Sequence, residues 1–231
     1  MSAVTDVVDW FADPEHWSGP GGVPTRVLEH LGLTAAALGI ACAVAVPLAL
    51  WLGHLGRGGP LAVNLANVGR AVPTFAVLVL LAIGPLGFGP AATITALVLF
   101  AIPPILTNGY VGMREVDRDV VEAARGVGLS PLQVVRQVEL PLAVPLLLTG
   151  IRLAAVQVIA TATIAALVAG GGLGNIILLG FGTQDQAAVV SGALLVAGFA
   201  VATELLFAGL GRVLDPVARQ RRDQGQRVSG P

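Results

Sequence analysis

Charge is scarce in this chain of 231 residues: only 12% are Asp, Glu, Lys or Arg, while 55% are hydrophobic. Soluble domains carry about 25% charged residues, so half the usual water-facing complement is missing, and the mean hydropathy of +0.83 agrees. Lysine is absent altogether, the thirteen basic residues all being arginine. With no Gly-rich loop followed by Gly-Lys-Ser/Thr, the chain has no phosphate cradle of its own for ATP. A formal net charge of −1 excludes the basic excess of a nucleic-acid binder. One cysteine, Cys42, and three scattered histidines, His16, His30 and His54, rule out a disulfide framework and offer no metal-ligand set. The first 25 residues hold Asp6, Asp9, Asp13 and Glu15 and no basic residue, the reverse of a secretory signal.

What is present is long apolar sequence. A spanning helix needs about 20 mostly apolar residues. Five runs qualify, at about residues 31–52, 71–83 with a polar helical lead-in from 62, 91–111, 145–168 and 187–210. Pro47 is tolerable within the first, since neighbouring helices re-satisfy freed backbone groups. Pro103-Pro104 is expected to break or kink the third, as a hinge or simply as packing. Residues 84–90, alternating Gly and Pro, read as a turn. The fold class is therefore all-α, a polytopic membrane protein with five transmembrane helices.

Arginine sets the orientation. With the N-terminus outside and the C-terminus inside, the inner segments hold Arg57, Arg70, Arg114, Arg118, Arg125, Arg136, Arg212, Arg219, Arg221, Arg222 and Arg227. The outer segments hold Arg26 alone, so the positive-inside rule favours N-out, C-in. Residues 1–29, where Trp10, Phe11 and Trp17 alternate with acids, read as an extracytoplasmic amphipathic segment at the membrane interface. Residues 30–213 form the membrane domain, and 214–231 a basic cytoplasmic tail.

The segment 113–144, between the third and fourth spans, is too long for a tight connection. Val120, Val121, Ala123, Ala124 and Val127 make one apolar stripe at helical spacing, and Leu132, Val135 and Val138 a second. Gly128 allows a break between them, Ser130-Pro131 starts the second helix, and Leu140-Pro141 is expected to end it before the next span. Small residues at 123, 124, 126 and 128 permit close approach of another backbone.

Glu122-Ala123-Ala124, three residues, Gly128, nine residues, Val138, one residue, then Leu140-Pro141 resembles the EAA signature of ABC-importer permeases. The one departure is Val138, where the family more often has Ile. The resemblance runs from about residue 30 to 213 and implies the type I importer permease fold. It also implies that these seven residues form coupling helices docking on a separate cytoplasmic ATPase dimer. The further partners implied are a second permease subunit, identical or paralogous, and an extracellular or periplasmic solute-binding protein. ATP would sit on the ATPase partner, leaving this chain without cofactor or metal and not itself an enzyme. The location implied is the bacterial inner membrane. Residues 64–75, 102–108, 110–112 and 170–174 look like the osmoprotectant subgroup, importing glycine betaine, choline, carnitine or proline betaine. Some relatives fuse a binding domain to the permease, for which this length leaves no room. An importer of another small solute such as methionine, or a self-contained secondary transporter, are the alternatives; the second fits poorly with a single mid-span acid, Glu204.

Polar residues within spans are candidates for the passage, being costly against lipid. Asn64, Asn67 and Arg70 share a helix face, lining either the path or a cytoplasmic helix before the span. Asn108, Gln157 and Thr161 lie deeper and suit either pore lining or hydrogen bonds between helices. Glu204 either bridges helices with Ser191 and Thr203 or pairs with an arginine such as Arg152. Few aromatics fall in the spans, so a cage for a quaternary ammonium is not evident and selectivity is assigned to the binding protein.

Overall fold

A computed structural model of the protein describes residues 3–70 and 72–214. The basic tail beyond 214 lies outside the described residues, as do Ala71 and the side chains of Asn67 and Arg70. Among the described residues there are helices and no strand. The long ones are α2 (Val23–Leu55), α5 (Pro90–Arg114), α8 (Leu140–Ala162) and α10 (Gln186–Leu214).

Packing of the first three follows from a stripe of small side chains. Ala37, Ala41, Ala45, Ala49 and Gly53 recur every fourth residue on α2, and all five are buried. That spacing puts them on one face, where the absence of bulk lets backbones close in, the usual driving geometry between helices in lipid. The face meets Leu97, Ala101 and Ile105 of α5 and Leu147, Ala154 and Val158 of α8. Contacts at Gly109 and Gly150 are equally close: a Cβ on Gly109 would lie 2.9 Å from the Ala49 Cβ, and one on Gly150 2.7 Å from the Pro104 carbonyl oxygen.

Ends of these helices gather on two opposite faces. On one, the C-terminal ends of α2 and α5 meet the N-terminal end of α8, where Gly53 touches Met113 and Gly112 lies against Ala143. On the other, the Gly89 N–H donates to the Val168 carbonyl (2.8 Å) and the Gly172 N–H to Glu29 Oε2 (2.9 Å). Gly171 and Gly172 there have φ of 86° and 81°, so the chain reverses through conformations glycine alone adopts freely. A short α1 (Ala3–Ala12) caps this second face, burying Trp10 against Val23, Leu173, Ile176 and Ala188. The amphipathic N-terminal segment is thus a helix docked on the bundle.

Several expected boundaries move. Among the described residues, four helices are long and apolar enough to cross a membrane: Val23–Leu55, Pro90–Arg114, Pro131–Val168 and Gln186–Val213. The run expected as the second span is divided into α3 (Gly59–Arg70) and α4 (Thr74–Ile83). Pro73 cannot continue a helix in its interior, and the ten residues of α4 reach only about 15 Å at 1.5 Å per residue, half the hydrocarbon thickness. Its inner face still packs, Leu78 and Ala82 meeting Ala92, Ala96 and Val168.

The third run is not broken at Pro103-Pro104. α5 continues through both, the prolines are buried, and Asn108 Nδ2 donates to the Pro104 carbonyl (2.9 Å). Contacts with α2 and α8 on either side hold the helix where sequence alone suggests an interruption. Nor does Leu140-Pro141 end a loop helix before the fourth span. α7 (Pro131–Val134), a π turn (Val135–Glu139), α8 and a 3₁₀ segment (Thr163–Val168) run on without a gap. The widened turn is the physical accommodation: Pro141 has no N–H to give, and Leu140 N–H bonds five residues back to Val135. An unforeseen α9 (Gly174–Thr183) lies between that segment and α10.

Candidate functional site

The segment 113–144 folds as two helices closed over a small apolar cluster. α6 (Arg118–Gly126) starts at Asp117, whose carboxylate accepts the Asp119 N–H at 2.9 Å. That is an N-cap, satisfying a donor the first turn leaves orphaned. α6 stops where Gly128 turns the chain at φ 91°, and the Leu129 N–H closes the turn onto the Ala124 carbonyl (3.2 Å). Ser130-Pro131 then opens α7, with Gln133 Oε1 accepting the Ser130 N–H at 2.8 Å. Val116, Val121, Ala124 and Val134 are buried together, with Leu129 and Val138 packed against them.

Signature residues divide between that inner cluster and the outer surface. Ala124 is buried, Val138 and Leu140 are half-buried, and Glu122, Ala123, Gly128 and Pro141 are exposed. Beside the exposed ones stand two apolar side chains open to the surroundings, Val127 and Leu132. A shallow cleft of about 480 Å³ follows, lined by Ser130, Leu132, Gln133, Arg136 and Gln137. Small residues, a turn tip and uncovered apolar groups are thus presented together by a hairpin with its own core.

The expected path residues lie on three helices, α3, α5 and α8. Asn64 is exposed on α3, Asn67 lies on the same helix with its side chain outside the described residues, and Asn108 is committed to the Pro104 carbonyl. Gln157 and Thr161 are half-buried on α8. A cleft of about 470 Å³ lies at the opposite face, where Arg26, Glu29, Pro90, Gly171 and Asn175 meet. Glu204 takes the second of its two expected roles: its Oε1 pairs with Arg152 Nη2 from α8. The single mid-span acid is thereby neutralised by an arginine at similar depth, the usual condition for such a charge in a membrane.

One group at the hairpin's base escaped the sequence reading. Glu139, between the signature positions Val138 and Leu140, is fully buried. Its Oε2 lies 2.6 Å from His54 Nδ1 on α2, and its Oε1 3.9 Å from an Arg118 Nη on α6. The only hint in the sequence is an acid inside an otherwise apolar helix stripe, since its partner His54 is 85 residues away.

The chain belongs to the family described as binding-protein-dependent transport system inner membrane component, which it matches over residues 45–220. It is similar to the choline transport system permease protein OpuBB of Bacillus subtilis, 34% identical over 196 residues, covering 85% of this chain and 90% of that protein. It is also similar to the carnitine transport permease protein OpuCB of Listeria monocytogenes, 34% identical over 199 residues, covering 86% and 91%. Among solved structures, an inward-facing MetNI methionine ABC transporter superposes with a TM-score of 0.72 at 22% identity, covering 82% of this chain and 94% of that one. At that identity the likeness is one of fold. The protein is an all-α inner-membrane permease.

Proposed function

We propose that this permease is the passage of an ATP-driven importer for a quaternary-ammonium compatible solute such as glycine betaine, choline, carnitine or proline betaine. The observation that carries the coupling reading is the hairpin of α6 and α7, where the seven signature positions bracket a packed core and an exposed tip. Two such subunits, identical or paralogous, enclose the path. A cytoplasmic ATPase dimer binds and hydrolyses ATP, and its closure moves the hairpins and rocks the helices between inward- and outward-open states. Solute arrives from a binding protein on the other face. The sidedness follows from arginine: Arg114, Arg118, Arg125 and Arg136 cluster at the hairpin, which is therefore cytoplasmic. In that orientation α1 and the Gly170–Gly172 reversal face outward, and the α3–α4 pair completes five membrane segments. The choice of solute is supported by the choline and carnitine permeases it resembles.

The test is reconstitution with and without its neighbours. Purified alone, the permease is expected to show neither uptake nor ATP hydrolysis. Together with the ATPase and binding protein, it accumulates labelled choline, glycine betaine or carnitine only when ATP is inside the vesicle ATPase compartment. Uptake by the permease alone, driven by an ion gradient, overturns the proposal; accumulation of methionine and of none of these solutes overturns the choice of solute.

A further inference from the structure

We infer that Glu139 is a positioning residue for energy coupling, the joint through which displacement of the hairpin reaches α2. This rests on the coupling reading above and assigns a residue at a position the signature leaves open. The signature residues lie on α6, in the turn that follows it, in the π turn and at the start of α8, and none lies on α2. Yet α2 is one of the three helices that build the core, so any rocking of the bundle has to carry it along.

Glu139 supplies the polar link. Its carboxylate is fully buried, and Oε2 accepts from His54 Nδ1 at 2.6 Å, one residue from the end of α2. A buried carboxylate is held where it lies, because moving away from its partner leaves a charge in an apolar setting. The second oxygen is not so satisfied. Oε1 has no hydrogen-bond partner among the described residues, nor has the buried Arg118 Nη2. The Arg118 guanidinium stands 3.9 Å away, inside ion-pair range and outside hydrogen-bond range. A shift of α6 by about 1 Å toward Glu139 would close that gap to hydrogen-bond length.

That is a joint with two arrangements. Arg118 is the first residue of α6 and begins the helix that carries Glu122, Ala123 and Ala124. Glu139 ends the π turn, a wide turn whose extra residue can slip without breaking the helix. Pushing the hairpin engages Arg118 with Glu139, and the His54 bond passes the movement to α2. The other charged side chains near this end, Arg57, Arg114, Glu115, Asp117, Asp119 and Arg136, are exposed, and Arg114 is folded over Gly56.

The experiment uses the whole importer, purified with its ATPase and reconstituted, reading ATP turnover and labelled choline, glycine betaine and carnitine uptake on the same vesicles. With Glu139→Gln, uptake falls by about tenfold, within the range of typical coupling energies, while the ATPase stays bound and turns over ATP as in the wild type. Arg118→Gln, which removes the cation and leaves the Glu139–His54 bond in place, is expected to lose uptake in the same way, while Arg118→Lys, which keeps the charge, retains much of it. If E139Q does not assemble, R118Q alone carries the same test and is expected to lose uptake with the ATPase still attached. Wild-type uptake in E139Q or R118Q overturns the inference. So does joint loss of uptake, ATPase binding and turnover in E139Q and R118Q with no recovery in R118K, which marks a purely structural contact. A wild-type complex that takes up none of these solutes counts against the proposed function instead.

Discussion

Glu122→Arg combined with Gly128→Trp is expected to strip the ATPase from the purified complex and abolish ATP-dependent uptake, while the permease still inserts and folds. Both residues are exposed and lie outside the buried cluster of Val116, Val121, Ala124 and Val134. A side chain at Gly128 meets nothing within 4 Å in the isolated chain. The indole is therefore free to project, and it projects where a docked partner's groove would lie. The backbone adds to the effect: φ of 91° is a conformation L residues rarely adopt, costing about 1–2 kcal/mol for the substitution, so the turn between α6 and α7 re-aims. Reversing the charge at Glu122 acts on the adjoining turn of α6. Interface anchors of this kind are each worth about 2 kcal/mol or more, so the pair should weaken association by well over a hundredfold. Recovery of the ATPase on an affinity-tagged permease reads the result directly. Undiminished recovery places the docking surface elsewhere.

The second large effect concerns the bundle itself. Gly150→Leu is expected to prevent a stable fold, because a Cβ there would lie 2.7 Å from the Pro104 carbonyl oxygen, 2.8 Å from the Asn108 Cβ and 3.2 Å from the Ile105 Cα. Two of those atoms are backbone and cannot turn away, so α8 would have to leave α5. Overpacking of a few methylene groups costs about 1–3 kcal/mol where side chains can adjust, and here the cost is higher. Gly198→Leu on α10 is the control, with nothing within 4 Å of the added carbon. Thermal unfolding in detergent should show the first variant aggregated or strongly lowered in Tm and the second close to wild type. Equal stability of the two would contradict the close packing of α5 on α8.

Both predictions use features that sequence reveals unevenly. Apolar runs near 31–52 and 187–210 announced helices because hydropathy is a local average. The hairpin at 118–139 was equally open to reading, since Gly128 and Ser130-Pro131 mark its turn by their own backbone preferences. The Arg152–Glu204 pair was one of the two roles open to that acid, charge being intolerable alone in lipid, and packing decided between them. Proline misled twice. A window average cannot tell whether neighbours will hold a helix together, so Pro103-Pro104 suggested an interruption that packing by α2 and α8 prevents. Pro141 suggested a stop where the chain instead widens into a π turn. Pro73 was the reverse case, dividing a run that hydropathy joined. Glu139 was hidden for a different reason: its burial depends on His54, and a pairing across 85 positions has no local mark.

The claim on which the rest depends is that the hairpin faces the cytoplasm and is gripped there. Cysteine at Ser130, in a chain whose Cys42 has been replaced, reports this with a membrane-impermeant maleimide, since residue 130 is exposed at the turn. The account predicts no labelling in intact cells, labelling in inside-out vesicles stripped of the ATPase, and protection when the ATPase is added back. Labelling of that cysteine from outside intact cells would contradict it.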